Sequence, residues 1–295
     1  MTRSRPSAAS LAGALLLCLA AGTAAAATAA LDSLVASERA FARRSVQQGV
    51  REAFLAYLAE DGVIFRPFAV SGRKVWESRG PVPILLLWEP AYAEVSAAGD
   101  LGFTTGPWEL RPNDPERPFG YGHFVSVWQT QPDGSWRVVL DIGTSHRKPD
   151  RGLGSMDFTA GPEHRAAKTG RKAADLKALD LEWTTDARAR GSEAAFTRRA
   201  APDVRFYHDG LVPVVGVSGA REMVKAVPGV TLWDPEAQLV ARSGDLGCTY
   251  GLLERRATAS AALDSSVYLH VWRRGTDGRW KVALALENPL PKTGK

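Results

Sequence analysis

The chain contains very little cysteine, and its positive and negative charges nearly balance. Its 295 residues include two cysteines, and Cys18 lies in an apolar N-terminal run. Removal of that run would leave Cys248 alone, so no disulfide could form within the chain and stability must come from packing. The formal net charge is only +5, from 37 basic and 32 acidic residues. This balance is not the basic signature of a nucleic-acid-binding protein, and we expect no nucleic-acid partner.

Hydrophobic runs long enough to cross a membrane are also missing. The apolar run Leu11 to Ala21 follows Arg3 and Arg5 and precedes a series of small residues that ends at Ala27. A membrane-spanning helix needs about 20 apolar residues, which this run does not reach. The pattern predicts a signal peptide over residues 1–27. We therefore expect an exported protein, periplasmic or secreted, with no membrane anchor after signal cleavage.

Sequence signatures of cofactor and metal sites are absent as well. The chain has no H-E-x-x-H motif, no paired cysteines, no phosphate-binding glycine loop after a strand and no G-x-S-x-G. We therefore expect no cofactor and no metal. What the chain does have is 45% hydrophobic residues and nine tryptophans. These large side chains are enough to build two hydrophobic cores.

An internal repeat covers most of the chain. Residues 88–106 (WEPAYAEVSAAGDLGFTTG) align without gaps with residues 233–251 (WDPEAQLVARSGDLGCTYG). Residues 127–140 align with residues 271–284 in the same way. Such collinear self-similarity predicts a tandem duplication of one structural unit.

The repeat sets the domain boundaries. We predict a first domain at 30–146 and a second at 173–291. Residues 147–172 between them are rich in glycine, proline and basic residues and have no apolar period. This composition favours a solvated linker, although its basic residues could also contact an acidic partner in the cell envelope.

Each unit shows helix patterns first and strand patterns afterwards. In the first unit we predict a helix over Leu31–Ala59 with a break at Gly49, and a short third helix within residues 74–87. Strands are predicted at Val63–Phe68, Ala91–Ala97, Leu101–Leu110, Gly122–Thr130 and Trp136–Ile142, with an Asp-Gly hairpin before the last. This order predicts an α+β fold with about three helices on one face of a curved antiparallel sheet.

The motifs of both copies resemble a known family. The series W-x-P, G-D-x-G-x-x-x-G and V-W-x-x-x-x-D-G-x-W is similar to the SnoaL-like branch of the nuclear-transport-factor-2-like superfamily. The resemblance implies two cone-shaped domains, each with a sheet wrapped around helices to enclose a pocket. It implies no single activity, because the superfamily includes isomerases, dehydratases, cyclases and non-catalytic modules. Many members pair through their sheets, so we expect the two copies to pair within the chain as a pseudo-dimer.

Ionisable residues in apolar strands are the candidates for chemistry. Asp141, expected at the end of the last strand, and His123 on its neighbour form a candidate acid–base pair. Strand alternation places Asp141 with Arg137 and Val139, opposite Trp136 and Leu140, and leaves open which face lines the pocket.

Further residues are candidates for ligand binding. In the first copy these are Arg66, Trp88, Tyr92 and Tyr121, and in the second they are Tyr207, His208, His270 and Glu287. The second copy has Ala285 and Val267 where the first has Asp141 and His123. Three functions therefore stay open. They are a module that binds a small molecule or serves as a scaffold, a cofactor-free isomerase, dehydratase or cyclase, and a cell-envelope assembly partner that uses the basic linker.

Overall fold

The computed structural model describes residues 8–81, 83–114, 116, 119–150, 157–162, 164, 174–227, 229–256 and 263–291, with only the backbone of residues 8–27. Two α+β units follow one another along the chain, which confirms the predicted fold class. Among these residues, no helix has both the length and the hydropathy needed to cross a bilayer.

The first unit begins with its helices. They are α1 (Ala8–Gln48), α2 (Val50–Tyr57) and α3 (Gly72–Glu77). The break between α1 and α2 falls at Gly49 as predicted, because its φ of 92° is a conformation that residues with a Cβ rarely adopt. The strands are β1 (Leu58–Phe65), β2 (Ala69–Ser71), β3 (Ile84–Trp88), β4 (Tyr92–Val95), β5 (Leu101–Pro112), β6 (Gly120–Thr130) and β7 (Trp136–His146). Because β7 continues to His146, Asp141 lies in the middle of the strand and not at its end.

The second unit repeats this order. Its elements are α4 (Leu176–Arg190), α5 (Ser192–Arg199), β9 (Ala200–His208), β10 (Val214–Val215), α6 (Val217–Ala226), β11 (Val230–Val240), β12 (Leu246–Arg256), β13 (Asp264–Arg274) and β14 (Trp280–Pro289). Both sheets are mixed and not purely antiparallel, because β1 pairs in parallel with β7 and β9 in parallel with β14. The remaining paired strands of the second sheet are antiparallel.

A β-bulge corrects the strand faces expected from the sequence. The register between β6 and β7 shifts between the pairs Val127/Leu140 and Trp128/Val138, which inserts one extra residue into β7. Trp136 and Val138 pack against the helices, whereas Leu140 belongs to the cluster on the opposite face. Strict alternation from Trp136 is therefore wrong beyond the bulge. Asp141 returns to the face that carries the helices, which we call the concave face.

The opposite faces of the two sheets contact each other. One hydrophobic cluster contains Phe103, Val127 and Leu140 of the first copy together with Leu246 and Leu269 of the second. Cys248 is buried in the same cluster, where burial raises the pKa of its thiol to about 12. We call this surface the intercopy face.

The aspartates of the repeated G-D motif form reciprocal hydrogen bonds between the copies. The backbone N–H of Ala97 donates to Asp245 over 2.9 Å, and the backbone N–H of Arg242 donates to Asp100 over 3.0 Å. The donors and the acceptors occupy equivalent positions in the repeat, so the two bonds are related by pseudo-two-fold symmetry. The motif that revealed the duplication therefore contributes directly to contacts between the copies.

Part of the predicted linker is packed. Thr159–Ala160 forms a short strand, β8, that pairs in parallel with β4. The side chain of His164 is only 1% exposed, and its Nε2 lies 2.8 Å from the Glu94 carboxylate. The prediction of a solvated linker is therefore wrong for the side chain of His164, whereas residues 157–160 are exposed even though Thr159 and Ala160 pair with β4. Residues 151–156, 163 and 165–172 of the predicted linker lie outside the described residues.

Candidate functional site

A row of polar side chains crosses the concave face of the first domain. Thr104 of β5 is paired with Ser126 of β6, and Ser126 is paired with Asp141 of β7. The Ser126 hydroxyl donates to Asp141 Oδ2 over 2.8 Å. Side chains at such cross-strand positions point to the same side of the sheet. The row therefore faces the helices that cover this side.

Glu38 of α1 completes the row from above. It is fully buried, and its carboxylate accepts hydrogen bonds from the indole N–H of Trp88 (2.5 Å), the hydroxyl of Thr104 (2.5 Å) and the indole N–H of Trp128 (3.0 Å). Trp88, a predicted ligand-binding residue, thus binds a buried carboxylate of its own domain.

Both carboxyl groups titrate near neutral pH. Burial raises the pKa of Glu38 to about 7, and the charge of Asp141 adds to the increase. Burial also raises the pKa of Asp141 to about 6, although the hydrogen bond from Ser126 and the positive charge of Arg66 oppose the shift. The carboxylate has two acceptor oxygens, and only Oδ2 of Asp141 has a hydrogen-bond partner among the described residues. Asp141 can therefore offer an acceptor or a proton to a ligand.

Aromatic side chains form the apolar part of this face. Phe124 lies beside Trp88, with ring centroids 6.5 Å apart. Trp108 lies directly over Gly122, where a Cβ atom would come within 2.3 Å of the indole ring. The strand predicted over Val63–Phe68 ends at Phe65, so Arg66 is the first residue after β1 and not part of it. Its side chain is exposed, and its positive charge acts on Asp141. The surroundings of Asp141 thus combine aromatic side chains with one exposed cation.

The second domain carries a different row at the equivalent positions. Thr249 is paired with His270, and His270 with Ala285, so that Ala285 replaces Asp141. Asp180 of α4 occupies the position of Glu38. Its carboxylate accepts a hydrogen bond from the Tyr268 hydroxyl over 2.9 Å and lies 2.8 Å from Nδ1 of His270. His270 also stacks on Trp183 at a centroid distance of 4.8 Å.

The interior of the second domain is nearly filled. The space bounded by Trp183, His270, Ala285 and Glu287 has a volume of only about 10 Å³. Glu287 forms an ion pair of 2.9 Å with Arg255, and both side chains are largely buried. His208 lies beside Glu287 in the strand register and its Nδ1 is 2.7 Å from the carbonyl oxygen of Asp209. The predicted residues His270 and Glu287 are thus already paired inside the domain.

His123 does not lie near Asp141. It is three residues from Ser126 on the same strand, so it points to the intercopy face while Ser126 points to the concave face. There its Nδ1 lies 2.9 Å from Nε2 of His146, and burial lowers its pKa to about 3. The structure therefore separates the predicted Asp141–His123 acid–base pair by placing its members on opposite faces of one sheet.

Three predicted tyrosines are also found away from Asp141. Tyr92 and Tyr207 belong to the cluster between the copies, and Tyr121 is paired with His146 across β6 and β7. Tyr207 lies 3.0 Å from the hydroxyl of Thr105 in the other copy. Among the described residues, no three His, Cys, Asp or Glu side chains are close enough to hold a metal ion together.

Glu38 and Asp180 are the functional candidates that the sequence analysis missed. Glu38 lies four residues after Leu34 and three before Phe41, on the apolar stripe of the helix, and Asp180 stands in the same relation to Leu176 and Trp183. A carboxylate on the buried stripe of a helix is rare unless it has partners. Its recurrence in both copies was the signal that could have identified these residues.

Comparison with known proteins gives fold-level similarity only. No family model and no curated protein matches this chain. A ketosteroid isomerase-like protein from Erwinia carotovora atroseptica is 17% identical, covers 39% of this chain and 95% of its own, and has a TM-score of 0.31.

Two further solved structures give similar values. An NTF-2 like protein of unknown function from Shewanella oneidensis is 13% identical over 38% of this chain and 94% of its own, with a TM-score of 0.32. An NTF2-like protein with a cystatin-like fold from Novosphingobium aromaticivorans is 14% identical over 41% and 82%, with a TM-score of 0.31. The chain is thus similar to NTF2-like and ketosteroid isomerase-like structures, each of which covers about two-fifths of it.

Proposed function

We propose that this protein is an exported small-ligand-binding protein, built from two SnoaL-like domains that pair within one chain. The ligand site is the concave face of the first domain at Asp141. The observation that carries the proposal is Oδ1 of Asp141, which belongs to a half-buried residue and has no hydrogen-bond partner among the described residues. An acceptor oxygen that the protein leaves free beside aromatic side chains is available to a ligand, and small-molecule sites commonly have this combination.

The surroundings of Asp141 suggest the ligand chemistry. Trp108 and Phe124 offer apolar surface, and the Asp141 carboxylate offers one acceptor oxygen. Small-molecule sites commonly combine such apolar walls with a few placed polar groups. The site therefore suits a compact, largely apolar molecule that carries a hydroxyl or amide donor.

The difference between the copies supports one ligand per chain. The second domain has Ala285 in place of Asp141, and its interior space is about 10 Å³, too small for an organic ligand. Its charged groups are paired with one another. The second domain would then serve as the structural partner of the first.

A second candidate function, proton transfer, is supported by one specific observation. Glu38 and Asp141 lie close enough for their charges to interact, and their pKa values are about 7 and about 6. Acid–base catalysts work best with pKa values near the operating pH. This pair would replace the predicted Asp141–His123 pair in an isomerase-type reaction.

The test is native mass spectrometry of the mature protein purified from its own host. We expect one extra small-molecule mass per chain, which disappears under denaturing conditions. Asp141→Ala introduces the residue of the second copy and should abolish that mass. Glu60→Gln is the matched control, because the Glu60 side chain is 95% exposed. Retention of the ligand by Asp141→Ala would refute the site, and a clean apo mass for the wild type would refute tight binding.

The same preparation separates binding from proton transfer. The released ligand is incubated in D2O with wild-type protein and with Asp141→Ala. Carbon-bound deuterium that accumulates only with the wild type would establish proton transfer. A ligand that binds and gains no deuterium would leave the binding function alone.

A further inference from the structure

A cleft between the two copies lies outside the site at Asp141. It has a volume of about 410 Å³, which is in the range of small-ligand sites. Tyr92, Thr105 and His123 line it from the first copy, and Arg205 and Tyr207 line it from the second. Two exposed carboxylates of the segment between the copies, Asp150 and Asp157, also line it. Neither domain alone would form this cleft.

Arg205 is a cation without an acceptor. Its guanidinium lies 3.5 Å above the centre of the Tyr92 ring, and its Nε is buried with no hydrogen-bond partner. Within the described part of the chain, no carboxylate forms an ion pair with it. Glu94, to which Tyr92 donates a hydrogen bond, is already bound to Arg273 and His164. A partly buried arginine without an anion is costly unless something else supplies the anion.

The hydrogen-bond chain at His123 fixes which atoms it offers. A backbone carbonyl can only accept, so Nδ1 of His146, 2.7 Å from the Arg147 carbonyl oxygen, carries a proton. Nε2 of His146 then accepts from Nδ1–H of His123 over 2.9 Å. Nε2 of His123 is consequently unprotonated, and it can accept a hydrogen bond from a molecule in the cleft.

Tyr207 presents an acceptor for the same reason. The hydroxyl of Thr105 donates to the Phe124 carbonyl over 2.5 Å, so its oxygen accepts the proton of the Tyr207 hydroxyl over 3.0 Å. The phenolic proton therefore points into the protein. The cleft thus combines one set of cationic donors at Arg205 with two neutral acceptors, and the exposed carboxylates Asp150 and Asp157 also lie on its lining.

The pseudo-two-fold axis supplies an internal comparison. Arg205 and Val63 occupy equivalent positions in the two copies, because Arg205 pairs with Leu284 and Val63 pairs with Leu140. His123 corresponds in the same way to Val267. Tyr207 and Thr105 correspond to Phe65 and Tyr250, whose rings pack edge to face at 5.8 Å. The second location is therefore apolar and belongs to the hydrophobic cluster. Because apolar residues hold the copies together there, the polar set at the first location is not required for pairing.

We propose that the cleft at Arg205 binds a small organic oxyanion, a carboxylate or phosphate whose body also carries a hydroxyl or amide donor. The oxyanion takes the free edge of the Arg205 guanidinium, and the donor is accepted by Nε2 of His123. The tyrosine rings cover the body of the ligand. Planar guanidinium groups bind both carboxylates and phosphates through paired N–H donors.

Isothermal titration calorimetry of the full mature chain tests this with defined probes. The panel is 4-hydroxybenzoate, benzoate, 4-hydroxybenzamide, phenyl phosphate and inorganic phosphate. We expect 4-hydroxybenzoate to bind more tightly than benzoate, which lacks the donor, and than the uncharged amide. The two phosphates decide whether the oxyanion is a carboxylate or a phosphate. If phenyl phosphate binds more tightly than the aromatic carboxylates, the oxyanion is a phosphate, and if the aromatic carboxylates bind more tightly, it is a carboxylate.

Two variants copy the apolar location into the cleft. Arg205→Val should weaken binding of the best probe by about 10- to 100-fold, the effect of losing a charged hydrogen-bonded pair. His123→Val should weaken 4-hydroxybenzoate and leave benzoate unchanged. Val63→Ala, at the apolar location, is the control and should leave binding of every probe unchanged.

Three results would overturn the proposal. The first is a wild-type protein that binds no member of the panel. The second is Arg205→Val protein that is folded and binds the best probe as the wild type does. The third is unfolding of Arg205→Val together with unchanged binding by the folded variant Arg205→Gln, which would make Arg205 a structural residue. Binding that survives Asp141→Ala but not Arg205→Val would separate this cleft from the site at Asp141.

Discussion

The buried carboxyl of Glu38 should make the stability of this protein depend on pH in a way that one substitution removes. Its pKa rises from an ordinary value of 4.5 to about 7 in the folded chain. The folded state therefore binds the proton more tightly than the unfolded state. The contribution of Glu38 to the free energy of unfolding is fully present below pH 4.5, and it is lost as the pH rises through 7.

The size of the effect follows from the shift. Each pKa unit corresponds to about 1.4 kcal/mol, so a shift of this size destabilises the protein by about 3 kcal/mol at high pH. Most of that change, about 2 to 3 kcal/mol, falls between pH 5 and pH 8. Glu38→Gln keeps the shape of the side chain but cannot ionise, so it should remove this slope.

The assay is urea unfolding followed by tryptophan fluorescence at pH 5, 6, 7 and 8. His123 works in the opposite direction, because its pKa is lowered to about 3 and its protonation favours the unfolded state. The quantity to compare is thus the difference between Glu38→Gln and wild type at each pH, in which the contribution of His123 cancels. We expect that difference to shift in favour of the variant by about 2 to 3 kcal/mol from pH 5 to pH 8. If the difference in free energy of unfolding between Glu38→Gln and wild type stays constant with pH, as we expect for Glu60→Gln, the pKa of Glu38 is not raised and the reasoning is refuted.

Two predictions concern contacts between the copies. Asp245→Ala removes the acceptor of the Ala97 N–H and should lower the free energy of unfolding by about 1 to 3 kcal/mol, measured by urea unfolding; an unchanged midpoint would mean that the reciprocal bonds do not hold the copies together. His164→Ala removes the buried hydrogen bond to Glu94 and should speed proteolytic cleavage near residue 164, measured by limited trypsin digestion. Cleavage at the wild-type rate would restore the view of this segment as a free linker.

The helix pattern of each unit was predictable because local physics decides it. Gly49 ends α1 by its positive φ, and the apolar stripe through Leu34 and Phe41 fixes which side of the helix is buried. The repeat likewise predicted two equivalent units, since its motif residues are turns and core positions. Roles in ligand binding stay predictions.

The strand faces could not be predicted in the same way. A single extra residue in β7 moves Asp141 to the concave face and Leu140 to the intercopy face. A bulge depends on the partner strand as much as on the residues themselves, so alternation along one strand cannot reveal it. The same limit explains why the sequence analysis predicted His123 and Asp141 as a pair. Two residues on neighbouring strands can point to opposite faces of the sheet, and the sequence alone does not show which face each one takes.

The sequence by itself determined the duplication, the α+β order of elements and the composition of two cores, because these depend on spacing and on local propensity. Only the tertiary structure decided which polar residues share a surface. It placed Glu38 above Asp141, paired Asp180 with His270 and left Arg205 facing His123 in a cleft between the copies. The physical reason is that such groups meet through register and through packing between distant segments, which no local pattern in one chain encodes.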